Sequence, residues 1–151
     1  MAFERVLLAI GPDDRDRLDT LMDATVDVAE PADATVYLVY VFPRSDYEDV
    51  LLGMDIDTAA EGASPDEVAR RHESARQPAD RLTSLDLDYG IRGVVGGDSA
   101  EQVLRKVDQL DADVVVVGGT RRSPAGKAVF GDHPQQILLN APVPVLYVGR
   151  E

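Results

Sequence analysis

The chain has 151 residues, of which 44% are hydrophobic and 28% charged, and it contains no cysteine. That suits one globular domain, residues 1–151, with a single packed core. It excludes a disordered chain, a disulfide framework, a thiol nucleophile and Cys-ligated zinc. A net charge of -13 and the lack of any apolar run near about 18 residues exclude a nucleic-acid partner and a membrane span as readings.

The 28 acids face 15 bases, and Lys106 and Lys127 are the only lysines. An acidic, lysine-poor surface suits a protein kept soluble in concentrated salt, where the Debye length falls to about 3 Å at 1 M and self-repulsion is screened. A halophilic source is the expectation. The N-terminus MAFERVLLAIG lacks a basic region and a small-residue cleavage site, so it reads as a first strand and not as a secretory signal, and a cytoplasmic location is expected.

In chain order, Arg5 to Ile10 is a short apolar run stopped by Gly11-Pro12, a buried strand. From Asp13 to Ala29, apolar residues at Leu18, Leu21, Met22, Thr25, Val26 and Ala29 recur at helical spacing, and Pro31 is expected to close that helix. Ala34 to Phe42 is nearly continuous in apolar character, as in a parallel strand buried on both faces. Pro43 to Ala63 is polar, acidic and irregular. Ser64-Pro65-Asp66-Glu67 has the composition of a helix start, with Ser as cap, Pro at the first position and Glu at the third. The helix runs to about Ser84, with a kink or interruption expected at Pro78. Tyr89 to Val95 is a third strand and Gly96 to Ser99 a turn into the helix Ala100 to Leu110. Val114 to Val117 is a fourth strand, Pro134 to Leu139 a helix, and Pro142 to Val148 the last strand, its prolines fitting a sheet edge. Alternating strands and helices predict an α/β fold, a parallel sheet with helices on both faces.

Ligands in open α/β sheets bind beyond the carboxyl ends of the strands, where strand order reverses. Two loops therefore matter. Gly11 to Asp16, GPDDRD, has paired carboxylates like those that hold Mg²⁺ in a phosphoacceptor domain. The fourth strand, however, ends in Gly118-Gly119 and the last in Gly149-Arg150, without the partner Asp and Lys such a site needs. Capping of the first helix by Asp13 or Asp14 is the simpler reading.

The second loop runs from Gly118 to His133 and carries Arg121, Arg122 and Lys127, with no acid between Gly118 and Gly131. Glycines let the backbone approach an anion, and the helix beginning near Asp132 presents free N–H groups. A phosphate site and an exposed basic loop pairing with acidic neighbours fit equally well. It is not a Walker loop, since Ala128 follows Gly126-Lys127. His72 and His133 are too far apart for metal-ligand spacing, and Ser99 and Ser123 have no adjacent base. No catalytic residue and no resident metal are expected. Tyr147 suits either a dimer interface or the core.

Over essentially its full length the chain resembles the universal stress protein family. The resemblance rests on the first strand and its glycine turn, Tyr40-Val41, the Gly-Asp-Ser-Ala run at 97–100, Gly118 to Asp132, and the closing Ala-Pro-Val-Pro-Val-Leu-Tyr-Val. It implies a single-domain, Rossmann-like, five-stranded parallel sheet in the order 3-2-1-4-5. It also implies a homodimer through the last strand, Val143 to Val148. Nucleotide-binding members carry G-x2-G-x9-G-[ST] after the fourth strand. Placed on Gly118, that pattern meets Arg121 at the second glycine, Gly131 at the third and Asp132 at the hydroxyl position. The Asp that contacts the adenosine half after the first strand is Gly11 here. Ala9, Ile10, Val41 and Val117 still offer an apolar slot for a base, with Gly118, Arg121, Arg122, Lys127, Gly131, Asp132 and His133 at the phosphate end.

These changes have physical consequences. A carboxylate about 4 Å from a phosphate charge repels it by roughly 1–4 kcal/mol, according to the local dielectric. Arg121 can instead hold an anion by its side chain, and Mg²⁺ could bridge Asp132 to phosphates. The resemblance therefore implies a homodimeric stress-response binding module with a degenerate adenine-nucleotide site. Its ligand would be ATP or AMP, with Mg²⁺ if any metal. The alternatives are an ATP-binding switch or slow ATPase, and an accessory subunit that contacts another protein through Asp46 to Gly62.

Overall fold

The computed structural model describes residues 3–11, 14, 17–42, 65–71, 73–95, 99–120 and 132–150. Strands β1 (Arg5–Ile10), β2 (Thr35–Phe42), β3 (Tyr89–Val95), β4 (Val114–Thr120) and β5 (Val145–Arg150) form a parallel sheet in the order β3-β2-β1-β4-β5. The described helices are α1 (Leu18–Ala32), α2 (Pro65–Arg71), α3 (Glu73–Ser84), α4 (Ser99–Leu110) and α5 (Asp132–Asn140).

Every residue of β1 from Val6 to Ile10 is buried, because this central strand is covered on both faces. Alternation divides the core. Val6, Leu8, Ile10, Leu38, Tyr40 and Val116 pack with Leu21, Met22 and Val26 of α1, Val68 of α2 and Leu82 of α3. Leu7, Ala9, Val39, Val41, Val115 and Val117 face the other way, onto Val103 and Val107 of α4 and Ile137 of α5. Each fully buried Leu or Val on these faces contributes roughly 1.5–3 kcal/mol. Among the described residues no helix is long and apolar enough to cross a membrane.

Several boundaries differ from expectation. Helix α1 starts at Leu18, not Asp13. The Asp14 N–H bonds the Gly11 carbonyl at 3.1 Å and its carboxylate accepts the Gly11 N–H at 2.7 Å, which ties the chain back to β1. Pro31 does not close α1 but lies inside its last turn. Its ring removes a single hydrogen bond there, and the end is held by Ala34 N–H to the Ala29 carbonyl and Asp33 N–H to that of Glu30. The expected helix to Ser84 is described as α2 and α3, with residue 72 between them outside the description. The interruption does not fall at Pro78: α3 runs through it, anchored by buried Ala75 and Leu82.

The ends of β4 and β5 also moved. Gly118, Gly119 and Thr120 extend β4, because they pair with Val148, Gly149 and Arg150. Strand β5 begins at Val145, not Pro142, since prolines cannot donate to the ladder; Pro144 still accepts the Val115 N–H at 3.0 Å. Helix α5 is longer than expected at both ends.

Candidate functional site

The sheet splits where its order reverses. Strand β1 stays paired with β2 as far as Ile10↔Tyr40, and β4 with β5 as far as Thr120↔Arg150. The β1–β4 pairing ends earlier, at Leu8↔Val116. Beyond that pair β1 and β4 have no further register with each other, at the point of strand-order reversal where such sheets hold ligands.

Ala9, Val41 and Val117, at 2–6% exposure, lie together on the α4–α5 face of the sheet. Ile10 is equally buried but faces α1. The four residues expected to line a base slot are therefore three on one face and one on the other. Gly11 closes the turn after β1 and is half-buried. Gly118 lies within β4, opposite Val148, and not in the loop after it. Arg121, Arg122, Lys127 and Gly131 lie outside the described residues, as do His72 and Ser123. Asp132 and His133 open α5, and their side chains are outside the description. Tyr147 of β5 is partly buried and packs against the α4–α5 core.

One pair at this reversal was not singled out from sequence. Arg17 donates from Nε to Asp14 Oδ1 at 2.6 Å, and the two side chains are only 11% and 10% exposed. Asp14 thus neither caps α1 nor stands free for a metal. The α1 cap position is Arg17 itself, with no side-chain cap bond. A Cβ placed on Gly118 would lie 3.1 Å from Arg17 Nε and 3.3 Å from Asp14 Oδ1, so the ion pair lies directly against β4 at the split. The signal available in sequence was opposite charge at i,i+3 just past the first strand. Nothing in that spacing says that both groups are buried.

Among the described residues no group of three or more His, Asp or Glu side chains could hold a metal ion. Burial pushes the Tyr40 hydroxyl well above the ordinary tyrosine pKa, so that ring, stacked on Phe42 with centroids 6.4 Å apart, is a neutral wall of the β2 end.

A sequence model of the universal stress protein family matches residues 2–149. A curated universal stress protein of Mycolicibacterium smegmatis is 39% identical over 67 residues, 44% of this chain and 52% of that protein, so the match spans about half the relative's length. A solved universal stress protein in complex with cAMP superposes with a TM-score of 0.66 at 19% identity, covering 100% of both chains. A universal stress protein family protein from Arabidopsis thaliana, solved with AMP bound, gives 0.64 at 14% identity, covering 98% of this chain and 92% of that one. At such identities the structural likeness establishes the fold alone.

Proposed function

We propose, from the premise that the chain belongs to the universal stress protein family, that it is a homodimeric regulatory module binding an adenine nucleotide in the β1–β4 crevice. The observation that carries this is the end of β1–β4 pairing at Leu8↔Val116, with buried Ala9, Val41 and Val117 beside it. Those three would wall the base, Ile10 and Gly11 would floor the β1 side, and Gly118 would bring backbone to the phosphate end. Two relatives of the same fold carry cAMP and AMP.

The phosphate end is degenerate in this reading. Arg121 stands where nucleotide-binding members have glycine, and Asp132 where they have a hydroxyl. Asp132 adds negative charge where the outer phosphates of ATP would lie. A nucleoside monophosphate is then the better ligand, and an added β- and γ-phosphate gives no gain. Mg²⁺ would be held only through a bridge from Asp132 to phosphate. Arg122, Lys127 and His133 would supply the remaining cationic and polar groups.

The second half of the proposal is the dimer. Among the described residues strand β5 is an edge of the sheet, Leu146 on it is 36% exposed, and Leu139 on α5 is 74% exposed. An open edge with apolar neighbours is covered by a second copy.

Titration calorimetry of the full chain in high salt with AMP, cAMP, ATP and Mg-ATP tests the binding. AMP or cAMP should saturate the protein at least as tightly as ATP, with and without Mg²⁺. Tight Mg-ATP binding with turnover, or no binding of any of the four, would overturn this reading.

A further inference from the structure

We propose that Asp66 and Arg92 close the outer edge of β3 against the addition of another strand, so that this sheet can join a second sheet only through β5. This closure is independent of any nucleotide site and decides which surface of the chain can serve in assembly.

Among the described residues the sheet has two edges, β3 and β5. An edge strand turns alternate N–H and C=O groups away from its sheet, where a further strand can pair with them. The Asp88 carbonyl accepts the Val36 N–H at 2.9 Å, so position 88 faces β2. In a parallel ladder the N–H and C=O of one residue point to the same side, and the side alternates along the strand. Tyr89, Ile91, Gly93 and Val95 therefore turn their backbone groups outward.

Two of those outward groups are taken by charged side chains of the same chain. The Gly93 N–H donates to Asp66 Oδ1 at 2.8 Å, and the Ile91 carbonyl accepts Arg92 Nη1 at 3.0 Å. The two side chains reach the edge from opposite faces. Ile91 packs in the core with Val68 and Ala69 of α2, and the start of α2 fills the space beside Gly93 on that face. Arg92 alternates to the other face, where its guanidinium lies 5.6 Å from the centroid of the Tyr37 ring. Each charge is thus held in place, Asp66 by the first turn of α2 and Arg92 by the ring beneath it. An incoming strand would have to break both bonds and displace both charges, which is how edge strands are kept from pairing.

The consequence is a limit on size. A pair of chains joined through β5 ends in two closed β3 edges. With both β3 edges open, the same pair could add further sheets end to end, as open assemblies do.

The experiment is sedimentation velocity of the full chain in high salt across a range of protein concentrations from micromolar upward, with far-UV circular dichroism on each sample. The samples are the wild type, Asp66→Asn, the double variant Asp66→Ala with Arg92→Met, and that double variant carrying Tyr89→Pro. Asn at 66 keeps an acceptor for the Gly93 N–H, so Asp66→Asn should hold the wild-type mass throughout. The double variant should rise at least about twofold in mass above the wild type as concentration increases, with its dichroism unchanged. Tyr89→Pro removes an outward N–H and no ladder bond, at the first residue of β3 where proline is tolerated, and should bring the mass back down. A double variant that keeps the wild-type mass at every concentration overturns the proposal. Growth that comes with loss of native dichroism also overturns it, because unfolding would then be the cause. So does growth that persists with Tyr89→Pro, because it would not run along β3.

Discussion

The Asp66 carboxylate accepts the backbone N–H of Gly93 at 2.8 Å, linking α2 to the edge strand β3. The Pro65 carbonyl occupies the space where a Gly93 side chain would begin. The helix start sits directly on the strand, and Asp66 fills an N–H that an edge strand would otherwise leave open. Gly93→Ala should therefore force α2 away from β3 and cost on the order of 3 kcal/mol. Asp66→Ala should cost about 1–2 kcal/mol, because the backbone stays in place and water can reach the freed donor. Urea unfolding of both variants checks the ranking. Equal effects would mean that the close approach relaxes without strain.

Much of this architecture was legible in the chain. The run from Val6 to Ile10 and the period of Leu18, Leu21, Met22, Val26 and Ala29 fix strand and helix by apolar spacing, and both elements are where the spacing puts them. The Pro65 helix start was equally readable from its neighbours. Two of the misplacements, at Pro31 and Pro78, share one cause: a proline near a helix end or inside a helix is not by itself a stop. Pro31 and Pro78 each remove a single helical hydrogen bond, and buried Ala29 and Leu82 hold the helices through them. The Asp14–Arg17 pair could not be read, because its meaning depends on burial against Gly118, which lies about a hundred residues away. Likewise the split between β1 and β4 is a matter of pairing, which no local pattern records.

Gly118 offers a test of why a glycine stands there. In sequence this glycine marks a place where a phosphate can approach the backbone. Its packing gives a second reason: an added Cβ would meet Leu21 Cδ2 at 3.0 Å and Arg17 Nε at 3.1 Å. Gly118→Ala should then lower stability by about 1–2 kcal/mol even without ligand. Denaturant titration of the unliganded protein measures it. Full stability with nucleotide binding lost would return the glycine to the ligand alone.

The deeply buried Tyr40 hydroxyl gives the alkaline limit a cause. Its folded pKa lies above the unfolded value of about 10, so the neutral phenol is favoured by folding. That contribution is complete below about pH 10 and is lost as pH rises from there toward the raised folded value. The stability of Tyr40→Phe should fall less steeply above pH 10 than that of the wild type. Parallel curves in chemical unfolding between pH 9 and 11 would remove Tyr40 as the cause.

Three helices end in the same unusual way. Asp33, Asp86 and Asp111 take left-handed backbone angles, with φ of 51°, 57° and 51°. Each is followed by a buried apolar residue, Ala34, Leu87 or Ala112, whose N–H reaches back to Ala29, Leu82 or Val107. Glycine is the usual occupant of this position, and an acidic residue there also opposes the helix dipole. Replacing any one with Gly should stabilise the chain by about 0.5–1 kcal/mol at every salt concentration. Replacing it with Asn removes only the charge, so its gain of about 0.3–1 kcal/mol should appear at low salt and fade at molar salt. Thermal melts across a potassium chloride series separate the two. A wild type whose stability did not rise with salt would also count against adaptation of its acidic surface to brine.

The dimer proposal turns on β5. Among the described residues its outer edge has no neighbouring strand; Leu146 on it is partly exposed on the α1 face of the sheet, and Leu139 on α5, which covers the other face, is highly exposed. If a second copy covers them, Leu146→Arg places like charges across a two-fold axis and Leu139→Asp does the same on α5. Either change should convert a dimeric mass to a monomeric one in sedimentation at micromolar protein. The melt of the monomer should then become independent of protein concentration, whereas the wild type's should rise with it. The two outcomes against the proposal have different meanings. A monomeric wild type would leave Leu139 and Leu146 as simple surface residues, and a variant that stays dimeric would move the interface away from β5.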